Sequence, residues 1–342
     1  DPPKMVSARL NLVPPPPDIA PARLSHADAM AALNRQIDEA VKADQFSGAV
    51  LVAQNGKVLI ERAAGTADRE KNVPVTPTTK FRNGSMNKMF TSVATLQLIE
   101  AGKLALDDTV GKHLTDYPNK DIAGKVTIRH LLTHTGGTGD IFGPDFARER
   151  LNLKTVGDYI KLYGARAPLF APGAEFRYSN YGYLLLGAII EKVSGMSYYD
   201  YVQKHIYAVA GMTDTGSQPE SEPVANRAVG YMKRDGKWTP NTDTLPWRGS
   251  PAGGGYSTVG DMMRFANALQ SGKLISKAMF DQATTPHLQG YGFGFGMRGE
   301  GDWNYFGHNG GAPGQNGDLR IYPAFGYVVV ALSNFDPPAA GR

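Results

Sequence analysis

Strand-like patterning occurs at the two ends of this chain, with helical patterning between them. Near the N-terminus, residues 47–54 and 57–64 are apolar, β-branched runs joined by Asn55-Gly56. Asn-Gly tolerates positive φ at both central positions and so closes a two-residue hairpin. Four more strand-like runs come late, at residues 290–297, 303–307, 317–322 and 326–333. Helical spacing appears first at 27–42, with apolar Met30, Leu33, Ile37 and Val41 on one face. It returns at 86–102, 158–163, 181–194, 198–209 and 258–270, the last with Ser257 or Thr258 as N-cap and Asp261 in its first turn. Residues 86 to about 245 are therefore mostly helix and loop. Such an order asks for a sheet built from N- and C-terminal pieces, interrupted by a helical insertion. No internal repeat is present.

Composition narrows the function classes. At 342 residues, 42% apolar and 20% charged, the chain can bury roughly three quarters of its unfolded surface, so it reads as globular. There is no cysteine, which excludes disulfides, thiolate metal sites, iron–sulfur clusters and a Cys nucleophile. The lack of cysteine leaves the compartment open. The net charge of +4 is spread without any five-residue run of Lys and Arg, so no nucleic-acid partner is expected. The longest apolar stretches, near 183–190 and 327–332, are far too short for a transmembrane segment. The sequence starts at Asp1 with no signal peptide, as a mature or trimmed form would. Residues 14–17 are four prolines, followed by Pro21; residues 1–26 read as a Pro-rich tether or as the tail of an upstream segment.

Three triplets carry the chemistry. Ser85-Met86-Asn87-Lys88 opens a helical run, which puts Ser85 and Lys88 on one face. A serine hydroxyl is a poor nucleophile until a base takes its proton. A lysine amine serves once burial lowers its pKa, because desolvation disfavours the ammonium. The helix N-terminus adds free N–H groups near the developing oxyanion. Alone the pattern is weak, but only one serine in the chain fits it, and Asn83-Gly84 makes a turn that exposes the hydroxyl. Tyr178-Ser179-Asn180 follows 93 residues after Ser85. A tyrosine near cations is partly phenolate and acts as a base, and Asn180 offers a donor and an acceptor to a substrate amide or ester. Tyr117-Pro118-Asn119 has the same spacing but reads as an ordinary turn. Gly307-His308-Asn309-Gly310-Gly311 lies in a strand-like region 130 residues after Tyr178. Its glycines allow close backbone approach to a ligand, and His308 is placed to orient or protonate. The competing His134-Thr135-Gly136 reads as a helix end with a basic cap and a Gly stop.

Taken together, Ser-x-x-Lys, Tyr-x-Asn and His-x-Gly resemble the serine β-lactamase and penicillin-binding-protein-like superfamily. Tyr-x-Asn points to its class C branch, with D-alanyl-D-alanine carboxypeptidases, D-amino-acid peptidases and family VIII carboxylesterases. The surrounding wording is similar too: Phe81-Arg82-Asn83-Gly84-Ser85, His130-Leu131-Leu132-Thr133-His134-Thr135, Phe176-Arg177-Tyr178-Ser179-Asn180-Tyr181-Gly182-Tyr183, and Ala252-Gly253-Gly254-Gly255-Tyr256-Ser257-Thr258. The resemblance covers nearly the whole chain, about residues 27–334.

The resemblance implies an α+β fold: an antiparallel β-sheet flanked by helices, with an inserted all-helical subdomain. The single hydrolase domain spans 27–342, its α/β part about 27–84 and 246–342 and its helical part about 85–245. It implies Ser85 as nucleophile, with Lys88 and Tyr178 as the proton-shuttling pair and Tyr178 the favoured general base. Asn180, His308, Gly310 and Gly311 are the implied substrate-binding residues, with Tyr181 lining the acyl pocket. The backbone N–H groups of Ser85 and Gly311 make the oxyanion hole. Reaction is then acyl transfer through an acyl-enzyme, with no metal and no cofactor. The implied partner is a small-molecule ester, β-lactam or D-peptide substrate; no oligomeric state is implied. His308 stands where many members have lysine, and a mostly neutral histidine holds a β-lactam carboxylate less well. The expected activity is therefore a carboxylesterase on short acyl esters. The alternatives are a β-lactamase or a D-alanyl-D-alanine carboxypeptidase/D-aminopeptidase, and, from another class, a catalytically idle penicillin-binding or scaffold relative. Relatives are often exported, so the periplasmic or secreted compartment is expected, with the cytoplasm open.

Two smaller expectations complete the reading. Family members usually add a C-terminal helix packed on the sheet, whereas this sequence stops at Arg342, so one sheet face is expected to be partly uncovered. Residues 139–150, with Phe142 and Phe146, are placed to form a lid over the cleft. His130 and His134 have i, i+4 spacing that zinc can use, but no third ligand is evident and no metal is expected.

Overall fold

The computed structural model describes residues 24–341, so the proline run at 14–17 lies outside the described residues. Helix α1 (His26–Lys42) starts at Ser25, whose side chain accepts from the Asp28 N–H. Strands β1 (Gly48–Gln54) and β2 (Lys57–Ala64) form the expected hairpin, with Asn55 and Gly56 both at positive φ. The late strands are β3 (Gly296–Arg298), β4 (Tyr305–Ala312), β5 (Gln315–Tyr322) and β6 (Tyr327–Ser333). All six form one antiparallel sheet in the order β2-β1-β6-β5-β4-β3. Chain ends thus meet at the centre of the sheet, where β1 pairs with β6.

Register sorts the two faces. Leu51, Val330, Leu319 and His308 stand directly opposite one another across β1, β6, β5 and β4. Directly paired residues share a face, so His308 points with the buried aliphatic row toward the helices. On that side lie α2 (Asn87–Glu100), α3 (Asn180–Ser194) and α4 (Val259–Gln270), the last capped by Thr258. Helix α2 is buried on almost every side, as the central helix of a core must be. The opposite face takes α1 through Ile37, packed with Val50, Val52 and Ile60. A groove of about 490 Å³ remains on that face, lined by Leu33, Ile37, Val50, Val329, Ala331 and Ala339.

Two expectations need correction. The segment 85–245 is not all helical: Tyr231–Arg234 and Lys237–Pro240 form a two-stranded ribbon within it. Lys233 and Trp238 pair across it, and Trp238 stacks on Phe335 at 3.9 Å. The second concerns residues 290–297. Gly290 and Gly294 have φ of +67° and +84°, and only Gly296–Arg298 pairs as strand. Glycine at positive φ breaks the pleat that the aromatic residues there would otherwise favour. Among the described residues, no helix is long and apolar enough to cross a membrane.

Candidate active site

Ser85 sits in a single 3-10 turn, Gly84–Met86, that runs directly into α2. The turn needs glycine at 84, where φ is +52°. It also needs glycine at 310, because a Cβ there would lie 2.0 Å from the Asn83 carbonyl oxygen. These two glycines let β4 press against the turn, and a Cβ on Gly84 would come within 3.0 Å of the Gly311 nitrogen. The N–H groups of Ser85 and Gly311 therefore lie on neighbouring backbones. Asn316 Nδ2 donates to the Gly310 carbonyl at 2.7 Å and steadies that strand.

One helical turn beyond Ser85, Lys88 is fully buried. Its Nζ lies 3.2 Å from Ser85 Oγ and 2.7 Å from Asn180 Oδ1, and it also donates to the Ala252 carbonyl. Asn180 Oδ1 and Ala252 O only accept; Ser85 Oγ can do either. A neutral amine has two donors and one lone pair, which this set satisfies with Ser85 as donor. Burial pushes the Lys88 pKa down to about 7, against a smaller opposing pull from Asp140. The Ala252 carbonyl is held in place because α2 grips the turn before it: Asn87 Nδ2 donates to Ser250 O at 2.7 Å and Thr91 Oγ1 to Pro251 O at 2.7 Å.

Tyr178 and Asn180 come from the N-terminal end of α3. Ser179 caps this helix, accepting from Gly182 N–H at 2.9 Å and bonding Gly139 O at 2.5 Å. The Tyr178 hydroxyl is buried and feels Ser85, but makes no hydrogen bond of ordinary geometry. Burial raises its pKa far above the ordinary phenol value. Burial thus works against the partly ionised tyrosine expected from the sequence. Lys88 does not offset it at the oxygen: its Nζ lies over the π-face, 4.7 Å from the Tyr178 ring centroid.

His308 is buried on the inner face of β4. Its Nδ1 lies 2.6 Å from the Asn309 carbonyl and so carries the proton; Nε2 accepts from Tyr291 Oη at 2.9 Å. Burial, helped by Lys88, lowers its pKa to about 3, so the ring is neutral. Tyr181 departs from expectation. It is buried in the helical layer, where its hydroxyl meets Tyr117 Oη at 3.0 Å and its ring packs on Tyr163, and it does not line the acyl pocket.

Sequence reasoning missed His134. The helix before it ends at Leu132, but His134 is no basic cap. It has φ of +58° and is buried, its Nδ1 accepts from Ser179 N–H at 3.1 Å, and its ring lies 4.2 Å from that of Tyr178. Burial holds its pKa well below the usual histidine range. The one sequence signal was the His134-Thr135-Gly136 triplet itself, a second His-x-Gly in the chain. His130 instead accepts from Thr127 N–H in a capping box, so the two histidines serve different backbones. Among the described residues, no group of three or more His, Asp or Glu gathers as a metal site would need.

Two cavities lie near these residues, and one of them reaches Ser85. One, about 200 Å³, is lined by Ser85, Ile141, Phe142, Phe146, Tyr159 and Gly311, so residues from the expected lid do border the cleft. The other, about 350 Å³, is lined by Tyr178, Tyr291, His308 and Arg298, and by Arg320 paired with Asp318 at 2.6 Å.

The Beta-lactamase family model matches residues 33–342. The chain is 34% identical over 267 residues to the putative penicillin-binding protein PbpX of Bacillus subtilis (strain 168), covering 77% of this chain and 65% of PbpX, just under two thirds of that relative's length. The crystal structure of a penicillin-binding protein from Bacillus halodurans superposes with a TM-score of 0.81 at 31% identity, covering 88% of this chain and 96% of that one. A D-stereospecific amidohydrolase from Streptomyces sp. gives a TM-score of 0.74 at 27% identity, covering 89% and 94%. With this match running from α1 to the last strand, the chain belongs to the beta-lactamase family, whose members share a penicillin-binding-protein-like fold and serine acyl-transfer chemistry.

Proposed function

We propose that this chain is a serine hydrolase of short acyl esters working through a Ser85 acyl-enzyme. The observation that carries the reading is a buried amine, Lys88, with a pKa near 7 and 3.2 Å from Ser85 Oγ. Neutral Lys88 takes the Oγ proton as Oγ attacks the ester carbonyl carbon. The oxyanion so formed faces the N–H groups of Ser85 and Gly311. The Tyr178 hydroxyl gives its proton to the leaving oxygen, and the proton taken up by Lys88 passes to the phenolate, restoring neutral lysine and phenol. Water releases the acyl group by the reverse route. This revises the general base from Tyr178 to Lys88, because burial favours the neutral form of both groups: a base in lysine, an acid in tyrosine.

Preference for esters over β-lactams rests on charge. Both nitrogens of His308 are engaged and the ring is neutral, so it offers no cation to a substrate carboxylate. The pocket beside Ser85 has no charged side chain in its lining: Ile141, Phe142, Phe146 and Tyr159 offer apolar surface to a small acyl group, beside the neutral polar Asn180, Thr244, Ser250 and Gln315. A second reading, hydrolysis of D-alanyl peptides or D-aminoacyl amides, is supported by the likeness to the D-stereospecific amidohydrolase from Streptomyces sp..

The deciding measurement is kcat/KM for a short p-nitrophenyl ester against a chromogenic cephalosporin and a D-Ala-D-Ala peptide, with Ser85→Ala as blank. Ester turnover at least tenfold above both supports the reading (order of magnitude from the value of one charged contact). The reverse order assigns the site to D-peptides or β-lactams. Absence of turnover and of fluorophosphonate addition at Ser85 assigns an idle relative. Within the reading, Tyr178→Phe is expected to lower kcat on the order of 10²-fold, the lower range for losing a proton donor. A loss under about tenfold would show that protons leave Lys88 by another path.

A further inference from the structure

A chain of polar contacts runs from Ser85 to an exposed aspartate. Ser85 Oγ meets Lys88 Nζ, Lys88 meets Asn180 Oδ1, and Asn180 Nδ2 donates to Asp140 Oδ1 at 2.9 Å. The Ile141 N–H donates to the same Asp140 oxygen at 2.6 Å, and Arg166 donates to the Asp140 backbone carbonyl at 2.9 Å. Asp140 itself is exposed at the rim, in the loop that brings Ile141 and Phe142 to the acyl-side pocket. Resting on the serine-hydrolase reading, we propose that Asp140 is a positioning residue: its carboxylate fixes which way the Asn180 amide points, and through it holds Lys88 on Ser85.

The argument is one of donors and acceptors. An asparagine amide has an oxygen end that accepts and a nitrogen end that donates. Lys88 needs an acceptor at 2.7 Å, so the oxygen end must face it. A carboxylate accepts only, so Asp140 permits the nitrogen end alone on its side. A flipped amide would set two donors against each other at Lys88 and two acceptors against each other at Asp140. With the amide fixed, Asn180 keeps its place in the lining of the cavity beside Ser85.

Charge adds a second consequence. Lys88 is faced by the rings of Tyr178 and Tyr183, at 4.7 and 5.5 Å, by Ser85, and by His134 and His308, both neutral. Asp140 is the carboxylate whose field favours protonated Lys88. Arg166, next to Asp140, opposes that field, and salt screens it because Asp140 is exposed. Removing the negative charge therefore makes Lys88 give up its proton at lower pH.

Two variants separate geometry from charge. Asp140→Asn keeps an acceptor for Asn180 and Ile141 but removes the charge; Asp140→Ala removes both. Two readouts are taken: the pH profile of kcat/KM on a short p-nitrophenyl ester, and the titration of the Lys88 ε-carbon by ¹³C-lysine NMR. In Asp140→Asn, the NMR midpoint and the acidic limb are expected to move together to lower pH, with less than tenfold loss in kcat. Asp140→Ala should show the same shift and lose kcat roughly 10- to 100-fold, the size expected for a lost charge-assisted hydrogen bond. Equal kcat losses in the two variants with no shift would mean a structural loop residue only, and would overturn the proposal. So would an unmoved Lys88 midpoint in both variants. The NMR titration needs no turnover. An inactive, unlabelled parent would refute the hydrolase reading, while the Lys88 midpoints would still decide the role of Asp140.

Discussion

Replacing Ser85 with alanine is expected to remove turnover by a factor of about 10⁴ or more, as loss of the nucleophile does in other serine hydrolases. The same variant should gain no mass from a fluorophosphonate, where the parent gains one adduct. Its fold should survive. The Ser85 side chain bonds Lys88 Nζ at 3.2 Å and lies beside the Tyr178 hydroxyl. Lys88 keeps its Asn180 and Ala252 acceptors when the hydroxyl is gone. The thermal midpoint should therefore move only a few degrees, roughly what ±1 kcal/mol produces in a chain this size. Residual activity above about a hundredth of the parent would remove Ser85 from the role of nucleophile.

The second large effect is expected at Lys88. Lys88→Met preserves length and burial but removes the base, and should cost on the order of 10²–10⁴ in kcat/KM. In the parent, the neutral amine is the active form, so kcat/KM should rise with pH through about 7. That limb should vanish from what activity the variant keeps. A parent profile flat from pH 5 to 9 would contradict the assignment. Stability follows the same group. Its folded pKa is below the ordinary 10.5, so the unfolded chain binds more protons between about 7 and 10.5. The contribution of Lys88 to stability therefore rises with pH across that window and is least favourable below it. In the methionine variant this slope should be absent from a pH series of denaturant midpoints. Asn180 Oδ1 and Ala252 O lose their donor there, at roughly 1–3 kcal/mol for each group left buried.

Much of the fold was legible because it is written in local periodicity. Asn55-Gly56 marked a hairpin that the structure shows residue for residue from Lys57 to Ala64. The apolar spacing of Met30, Leu33 and Ile37 marked α1, and Thr258 with Asp261 marked the start of α4. The same local rules failed where glycine intervened. The aromatic residues at 291–295 read as strand, yet Gly290 and Gly294 bend the chain away before β3 begins. Helix phase explains Tyr181. It lies one residue, about 100° of turn, beyond Asn180, which is enough to aim it into the helical layer instead of the cleft.

Residue types and order by themselves determined the chemistry available here: one Ser-x-x-Lys at a helix start, no cysteine, and the strand-rich ends that let β1 and β6 pair. Those are properties of neighbours in the chain, and neighbours are what periodicity and spacing report. The tertiary structure decided which groups carry charge. Whether Lys88 or Tyr178 is the base depends on burial and on Lys88 lying over the Tyr178 ring instead of beside its oxygen. Whether His308 is a cation depends on Tyr291 and on the Asn309 carbonyl. Asp140 and His134 became part of the site only when folding brought each onto residues 40 and 45 positions away, Asn180 and Ser179. Proton affinity is set by solvent exclusion and by partners distant in sequence, and no local pattern encodes either.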